Sequence, residues 1–462
     1  MLFQTALQLV SITSLLTQIQ TTSAAVRAKR SDNPLDAHST TATTAPIHVS
    51  LVEKRATSSI GKRSTASEIP LMDDINSSQF GIEVQIGTPP QNFVLMLDTG
   101  STDTWVSSSE CTVKDGCPDF MQHFLPQNSS TYRSVLNDDR ENEHNHEMPI
   151  DIVYGIGHAE GRYFEDVLTL TTKSMLKNDF QRLVLVHKTE GPLSHQQHKS
   201  EKDEADITLD GVFAAGLTTT TTRATLSSNT TTEEERQRLH STSSTTDPMT
   251  NHPFFISLYN SNSIPEPMFS VALAEGSLIL GAKHSSNHSY VYTDVASVET
   301  RWDANVYKFQ FENASRAVNF NFNEPTPVGV DTGSNFLYLP EVLAYDLAAA
   351  VSHNTYKKPT DERPYFLIDC EYQSSHQFVN IYFLPSSSAS FTGRQRIDNE
   401  VGMKISVKHL IAQRESDGQC LLLFVPSKDK FIIGNMILRH FYTVFDFGEV
   451  PKIGFAPYYR TE

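Results

Sequence analysis

Val94 to Val106 reads VLMLDTGSTDTWV, and Pro327 to Leu339 reads PVGVDTGSNFLYL. In both stretches an apolar run typical of a buried strand leads directly into Asp-Thr-Gly-Ser. Each aspartate is therefore expected where a strand leaves the core. Because the motif occurs twice, the sequence predicts two related halves that contribute one aspartate each, Asp98 and Asp331.

The residue types that follow each aspartate suit the support of a carboxylate. Threonine supplies a hydroxyl that can bond to the opposite loop. Glycine tolerates positive φ and lacks a Cβ, so backbone N–H groups can approach the carboxylate, and serine adds a further hydroxyl. These supporting residues are Thr99, Gly100, Ser101, Thr332, Gly333 and Ser334.

If the two loops face each other, Asp98 and Asp331 cannot both ionise comfortably and would share one proton. One carboxylate could then activate a water while its protonated partner polarises a carbonyl, which hydrolyses a peptide bond without a metal or a covalent intermediate. Taken alone, either aspartate could instead end a strand in an Asx turn. The duplication favours the paired site.

From Gln79 onward, short alternations of apolar and polar residues separated by turns predict a mostly-β protein. The run FGIEVQIGTPPQNFVLMLD at 80–98 predicts a β-hairpin around Gly-Thr-Pro-Pro. Helices are expected at 340–353 and 435–442, with a helical turn or two at 233–239.

These motifs resemble those of pepsin-like aspartic proteases, close in layout to secreted fungal acid proteases, from about Phe80 to Pro457. The resemblance implies two β-rich lobes with the active-site cleft between them, at 64–262 and 263–462. It also implies Asp98 and Asp331 as the catalytic pair. The expected enzyme is a monomer without cofactor or metal that cleaves proteins or peptides at acidic pH, beside bulky apolar residues, and binds no nucleic acid.

The sequence VYGIG at 153–157 resembles the hinged flap of this family. The resemblance implies that Tyr154, with Gly155 and Gly157, closes over substrate and that Trp105 is its hydrogen-bond partner. Tyr154 could otherwise be an ordinary half-buried strand aromatic. The strands DGVFAAGL at 210–217 and FIIGN at 431–435 resemble those that pass behind the catalytic loops.

Five residues depart from the family pattern. Ile156 stands where the flap usually has Thr or Ser, and Asn335 replaces the usual Ser or Thr after the second motif. Asn435 stands where Asp is common, which predicts a modest change in the pH profile and no loss of activity. Ala214-Ala215 is an unusual filling for its strand.

The four cysteines fall into two local groups, Cys111 with Cys117 and Cys370 with Cys420. In a secreted protein they are most simply two disulfides, and these pairs also match the family's common bridges. Neither a CxxC spacing nor neighbouring histidines indicate zinc. Five N-glycosylation sequons agree with a secretory route, at Asn76, Asn128, Asn229, Asn287 and Asn313.

The first 25 residues resemble a secretory signal peptide, although a buried or frayed N-terminal helix is the alternative. Residues 26–63 contain three dibasic pairs, at 29–30, 54–55 and 62–63, and predict a propeptide that inhibits its own enzyme. This segment has seven basic and three acidic residues, so its net charge of +4 leaves −21 on residues 64–462 of a chain at −17. Such a leader can dock electrostatically on the acidic body.

Two polar stretches, near 188–205 and at 218–250, predict disordered insertions. Solvated loops explain the nearby histidines better than metal binding does, at positions 144, 146, 195 and 198. No segment is long and apolar enough to predict a membrane span. The leader and the sequons favour a secreted, extracellular protein, with a vacuolar destination open.

Two other classes of protein match the sequence less well. A non-enzymatic binding or inhibitor protein of the same fold typically loses a catalytic aspartate or its glycine, whereas both motifs are intact here. A carboxylate-pair glycosidase needs neither matched DTG loops nor a flap, and the chain has only two tryptophans for a sugar platform.

Overall fold

The computed structural model describes most of the chain from residue 45 onward. The described residues are 45–54, 79–136, 147–155, 157–172, 175–196, 207–217, 252–296, 301–312, 317–360, 363–386, 401–414 and 417–458. The expected signal peptide, the insertion at 218–250, the helical turn at 233–239 and Ile156 lie outside them, as do His144, His146 and His198.

The first half of the described chain consists almost entirely of strands. They are β1 Ile47–Lys54, β2 Gln79–Ile86, β3 Gln91–Asp98, β4 Trp105–Ser107, β5 Arg133–Ser134, β6 Pro149–Val153, β7 His158–Leu170, β8 Lys177–Glu190 and β9 Gly211–Ala214. Helix α1, Phe254–Asn260, follows and buries Phe254, Phe255 and Leu258. The sequence analysis did not predict this helix, which is only seven residues long.

The second half adds fifteen strands within the described residues. They are β10 Met268–Ala272, β11 Ser277–Leu280, β12 Val291–Asp294, β13 Asp303–Glu312, β14 Ala317–Asp331, β15 Leu337–Pro340, β16 Leu367–Ile368, β17 Phe378–Phe383, β18 Val401–Ser406, β19 Ile411–Gln413, β20 Cys420–Leu422, β21 Phe424–Ser427, β22 Ile432–Gly434, β23 Phe441–Asp446 and β24 Lys452–Pro457. Two helices are also present, α2 Glu341–Val351 and α3 Asn435–Leu438.

The described strands form three sheets. The largest has the order β12-β24-β23-β10-β11-β1-β2-β3-β9-β4-β8-β7-β5, with β6 on β7. A seven-stranded sheet has the order β18-β17-β13-β14-β22-β15-β21, and a small one has the order β16-β20-β19. This arrangement confirms the predicted mostly-β fold with two β-rich lobes, while the lobe boundary at 262/263 stays a prediction.

The predicted hairpin is β2 and β3, paired antiparallel from Gly81↔Met96 to Ile86↔Gln91. Its alternation places Ile82 and Leu95 in the core, where both are fully buried. Burial of such aliphatic side chains stabilises the fold by about 1.5–3 kcal/mol each relative to exposure. The hairpin therefore fixes the direction in which β3 delivers Asp98.

Strand β1 comes from the segment predicted as a propeptide. Its first half pairs antiparallel with β11, from Ile47↔Leu280, and its second half pairs with β2, up to Lys54↔Gln79. Val49 is 4% exposed and Leu51 is 7% exposed. This part of the leader is therefore an integral strand that joins the two halves of the largest sheet.

Two sequence expectations differ from the fold. The first residues of the insertion expected near 188–205 are ordered, because β8 continues to Glu190 along β7 in the register His158↔Glu190, and Leu193 beyond it is buried. The sequence does not indicate this end of the strand because its side chains are charged. In the fold, Lys188 is exposed and pairs with Glu160 on the neighbouring strand. The helix expected at 435–442 is limited to α3, since strand β23 starts at Phe441.

No helix in the described part of the chain is long and apolar enough to cross a membrane.

Candidate active site

The two aspartates end equivalent strands in the two halves. Strand β3 ends at Asp98 and pairs in parallel with β9 in the register Asp98↔Ala214. Strand β14 ends at Asp331 and pairs in parallel with β22 in the register Asp331↔Gly434. The strands at 210–217 and 431–435 therefore lie beside the catalytic loops, where the family resemblance placed them.

The two threonines lock the loops together by reciprocal hydrogen bonds. The backbone N–H of Thr99 donates to the hydroxyl of Thr332 at 3.1 Å, and the backbone N–H of Thr332 donates to the hydroxyl of Thr99 at 3.0 Å. Each hydroxyl in turn donates across the interface, Thr99 to the Val330 carbonyl at 2.8 Å and Thr332 to the Leu97 carbonyl at 2.7 Å. Both threonines are fully buried.

Each carboxylate is held by two donors from its own motif. The backbone N–H groups of Gly100 and Gly333 donate to Oδ1 of Asp98 and Asp331 respectively, both at 2.8 Å. The hydroxyls of Ser101 and Ser334 donate to the corresponding Oδ2 atoms, both at 2.6 Å. The two halves thus present their carboxyl groups in matching orientations.

The two carboxyl groups line the same cleft and interact electrostatically. Burial, and then the negative charge of Asp331, raise the pKa of Asp98 well above its usual value. The pair therefore retains a proton at a pH where an exposed aspartate is ionised.

Both motif glycines are required by space rather than by backbone angle. A Cβ on Gly100 would lie 2.7 Å from Cγ of Asp331, and one on Gly333 would lie 2.6 Å from Oδ1 of Asp98. Neither glycine has positive φ. The absence of a side chain, not conformational freedom, lets each loop approach the opposite carboxyl.

The predicted flap is the turn between β6 and β7. Tyr154 donates its backbone N–H to the Gly157 carbonyl at 3.0 Å, and its hydroxyl accepts a hydrogen bond from Nε1 of Trp105 at 2.8 Å. Burial, and then the charge of Asp98, raise the pKa of the Tyr154 hydroxyl well above its usual value. Gly157 has φ +88°, and a Cβ there would lie 1.8 Å from the Glu190 carbonyl oxygen.

The flap is also contacted by the second half of the chain. The ammonium Nζ of Lys430 donates a hydrogen bond to the Gly155 carbonyl at 2.5 Å.

A cleft of about 790 Å³ lies under the flap and contains both aspartates. Apolar side chains from both halves line much of its wall: Met96, Trp105, Ile152, Leu193, Val212, Val330, Tyr338 and Ile432. Burial, and then the charge of Asp331, raise the pKa of Tyr338 to about 12. This tyrosine is a cleft residue that the sequence analysis did not identify.

Two of the departures from the family pattern contact each other. The side-chain amide of Asn435 donates to Oδ1 of Asn335 at 3.0 Å and to the Thr332 carbonyl at 3.2 Å. Gln79, at the start of β2, donates to the same Oδ1 at 3.2 Å. The side chains packed behind the second motif are therefore uncharged amides. The sequence separates the two asparagines by 100 residues, so only the fold reveals the pair.

The other unusual positions, Ala214 and Ala215, are fully buried. The Ala214 N–H donates to the Thr104 hydroxyl at 3.0 Å, and the Ala215 N–H donates to the Asp98 carbonyl at 2.7 Å. The indole of Trp302 from the second half donates to the Ala215 carbonyl at 2.8 Å. These backbone contacts tie this segment to the first motif and to the second half.

Disulfides join Cys111 to Cys117 and Cys370 to Cys420, across 6 and 50 residues of sequence. Among the described residues, no group of His, Cys, Asp and Glu side chains is arranged to hold a metal ion. His195 lies at the cleft rather than in a disordered segment.

The comparison with family models now decides the identity of the fold and site. The model described as eukaryotic aspartyl protease matches residues 79–458, which include both motifs and the flap. The chain belongs to the eukaryotic aspartyl protease family. It is a pepsin-like aspartic endopeptidase, a hydrolase that acts on peptide bonds.

Individual relatives agree with this assignment. Mucorpepsin from Rhizomucor miehei is 29% identical over 395 residues, covering 83% of this chain and 79% of the relative. Mucorpepsin from Rhizomucor pusillus is 29% identical over 401 residues, covering 84% and 81%. Rabbit (Oryctolagus cuniculus) gastricsin is 24% identical over 401 residues, covering 83% and 82%.

Some cleft residues of this aspartyl protease carry no signal of their own in the sequence. Lys430 lies in a polar loop, SKDK, that is typical of a solvated turn. Tyr338 lies seven residues after Asp331, in an apolar strand where an aromatic side chain is expected in the core. Whether a residue lines the cleft depends on how the two lobes face each other. Neither the polar loop of Lys430 nor the apolar strand of Tyr338 contains information about that arrangement.

Proposed function

We propose that this protein is a secreted acid endopeptidase, made as a zymogen, in which Asp98 and Asp331 hydrolyse peptide bonds through an activated water. The placement of both carboxyl groups in one cleft, each held by matching donors of its own motif, carries this proposal. The ionised carboxylate removes a proton from the water, and the protonated one donates to the substrate carbonyl. The threonine, serine and glycine partners keep both groups in position.

An acidic working range follows from the proton that the pair must retain. Burial and the charge of Asp331 raise the pKa of Asp98, so the singly protonated pair persists above the ordinary range of a carboxyl. Activity should fall once the pH rises through that raised pKa, because both groups then ionise. It should also fall at very low pH, where both are protonated.

A preference for bulky apolar residues is supported by the cleft wall. Side chains such as Ile152, Leu193 and Ile432 flank the aspartates and would lose contact with water when an apolar residue binds. Tyr154 and Trp105 hold the flap above the scissile bond, where closure excludes water from the reacting groups.

The zymogen proposal is supported by strand β1. Leu51 of this leader strand is buried, and Glu53 forms an ion pair with Arg439 at 3.2 Å in which both side chains are about 15% exposed. The dibasic pair Lys54-Arg55 follows at the end of the strand. A leader held in this way is suited to inhibit the enzyme until the leader is cleaved. We place the cleavage after Arg63, so that the mature protein begins at Ser64.

Secretion is supported by the leader, the two disulfides and the sequons. Asn128 and Asn287 are both exposed, as glycan attachment requires. Cells that secrete the chain should release a glycosylated form whose first residue, by N-terminal sequencing, is Ser64.

The experiment that tests the activity is cleavage of denatured globin near pH 4 by the processed protein. A statine-type inhibitor, which resembles the tetrahedral intermediate, should abolish cleavage. Cleavage that persists with the inhibitor, or that is absent from pH 2 to 7, would contradict the proposal.

A further inference from the structure

Lys430 occupies an unusual position in the cleft. It lies in the loop between β21 and β22 of the second half, and its ammonium reaches the flap of the first half at the Gly155 carbonyl, 2.5 Å away. It also lines both the main cleft and a smaller pocket of about 250 Å³ beside it. The ammonium therefore stands at the junction of two cavities and the flap.

Lys430 differs from Arg301, which also lines the cleft, in its ion pairing. Arg301 pairs with Asp303 at 2.8 Å. Lys430 forms no ion pair with any acid in the described part of the chain. The remaining titratable groups of the lining are Asp98, Asp103, Tyr154, Glu190, His195, Asp331 and Tyr338.

The contact that Lys430 makes is one that a substrate can replace. An ammonium has three donors, and one of them meets the neutral Gly155 carbonyl. A hydrogen bond from an ammonium to a carboxylate is roughly twice as strong as one between neutral groups. A substrate carboxylate that reaches this junction would therefore be a better partner than the flap carbonyl.

The small pocket fits the stem of such a side chain. Its walls are mainly apolar and aromatic: Phe336, Tyr338, Pro364, Val425 and Pro426, with Ser427 and Lys430 at the polar end. A glutamate could rest its methylene groups on these walls and place its carboxylate against Nζ.

We propose that Lys430 is a specificity-determining residue that gives this protease a preference for peptides with an acidic side chain at one position near the scissile bond. This inference rests on the proposed function of the cleft. The carboxylate takes the ammonium from the Gly155 carbonyl as the flap closes over the bound peptide.

The test uses pairs of statine-centred peptides that differ only by Glu or Gln, placed in turn at each of the four positions before and three after the statine. Affinity is measured by calorimetry at pH 5.5, where glutamate is ionised, and at pH 3.5, where it is mostly protonated. At one position the wild type should bind Glu about five- to tenfold more tightly than Gln at pH 5.5, and the ratio should approach one at pH 3.5.

Lys430→Met keeps the apolar stem and should reduce the ratio of Glu to Gln affinity to one at pH 5.5, whatever its effect on the affinity for the Gln peptide itself. Lys430→Arg should retain the preference. Lys428→Met is the matched control, since Lys428 is an exposed cation of the same loop outside the cleft lining, and it should behave as wild type.

A Glu preference that survives in Lys430→Met, or no preference at any position in the wild type, would overturn the inference. Because the assay reads binding, it does not depend on turnover. A protein that binds the peptides with this preference but does not cleave denatured globin near pH 4 would refute the proposed function and leave the inference standing. Failure to bind any of the peptides would overturn both.

Discussion

Thr99 and Thr332 each donate a backbone N–H to the other's hydroxyl, so the two DTG loops are tied by a symmetric pair of buried hydrogen bonds. The two residues are 233 positions apart in sequence and come from the two repeated motifs. The contact sets the distance between the strands that end at Asp98 and Asp331. The geometry of the carboxyl pair thus depends on groups that take no part in proton transfer.

Thr332→Val should destabilise the protein by about 2–4 kcal/mol, because the Thr99 N–H and the Leu97 carbonyl would each lose a buried partner. It should also lower kcat by loosening the carboxyl pair. Thr332→Ser keeps the hydroxyl and should stay close to wild type. Urea unfolding and peptide turnover measure both effects, and equal stability of the Val and Ser variants would count against the lock.

Tyr154→Phe should lower kcat/KM by about tenfold, because the buried indole N–H of Trp105 loses its acceptor and the flap loses an anchor. Tyr382→Phe is a suitable control, since its hydroxyl donates to Gln310 at 2.8 Å outside the cleft lining. Steady-state kinetics on one apolar peptide would compare the two. Similar losses in both variants would point to a general effect on the fold.

Asn435→Asp should move the pH profile of kcat/KM upward by less than about one unit without abolishing activity. The new carboxylate would lie beside Asn335, behind the second motif, and its negative charge disfavours ionisation of the aspartate pair. A raised pKa keeps the shared proton to higher pH, so the alkaline limb moves up. Asn435→Ala removes the same hydrogen bonds without adding charge, and a profile identical to that of the Asp variant would exclude the electrostatic explanation.

His409 and His440 stack with ring centroids 3.8 Å apart. Burial, and then the charge of Lys408, lower the pKa of His409 to about 4. Burial, and then the charges of His409 and Arg439, lower the pKa of His440 well below its usual value. Between pH 6.5 and about 4 the unfolded chain therefore binds protons that the folded chain does not. Stability should fall as the pH drops through this window.

His409→Phe keeps the ring contact and removes one of these protonation sites. It should raise the melting temperature at pH 4 by roughly 2–6 °C and change it little at pH 7.5. His376→Phe, at an exposed histidine, provides the control. An unchanged slope of melting temperature against pH in His409→Phe would rule out this pair as a source of acid sensitivity.

The parts of the fold with a local signal could be predicted. The β2–β3 hairpin follows from strict alternation around a turn, and the positions of Asp98 and Asp331 at strand ends follow from apolar runs that end in DTG. Strand β1 could not be predicted, because its short alternation lies within a Ser- and Thr-rich leader. Its place in the sheet depends on partners in both halves, β2 and β11.

The site shows the same division. Each motif indicates which groups hold its own carboxylate, and those contacts are local, within three residues of Asp98 or Asp331. The amide network of Gln79, Asn335 and Asn435 joins distant segments, so each departure looked isolated in the sequence. The reach of Lys430 to Gly155 spans 275 residues and is set by how the two lobes face each other.

The measurement that tests the central claim most directly is kcat/KM of Asp331→Asn on one apolar peptide from pH 2 to 8. Asp346→Asn, on helix α2 and outside the cleft lining, makes the same chemical change as a control. If the two carboxyl groups act as one proton-sharing pair, Asp331→Asn should lose about a thousandfold or more at every pH, while the control stays near wild type. Turnover by Asp331→Asn within tenfold of wild type would contradict the account.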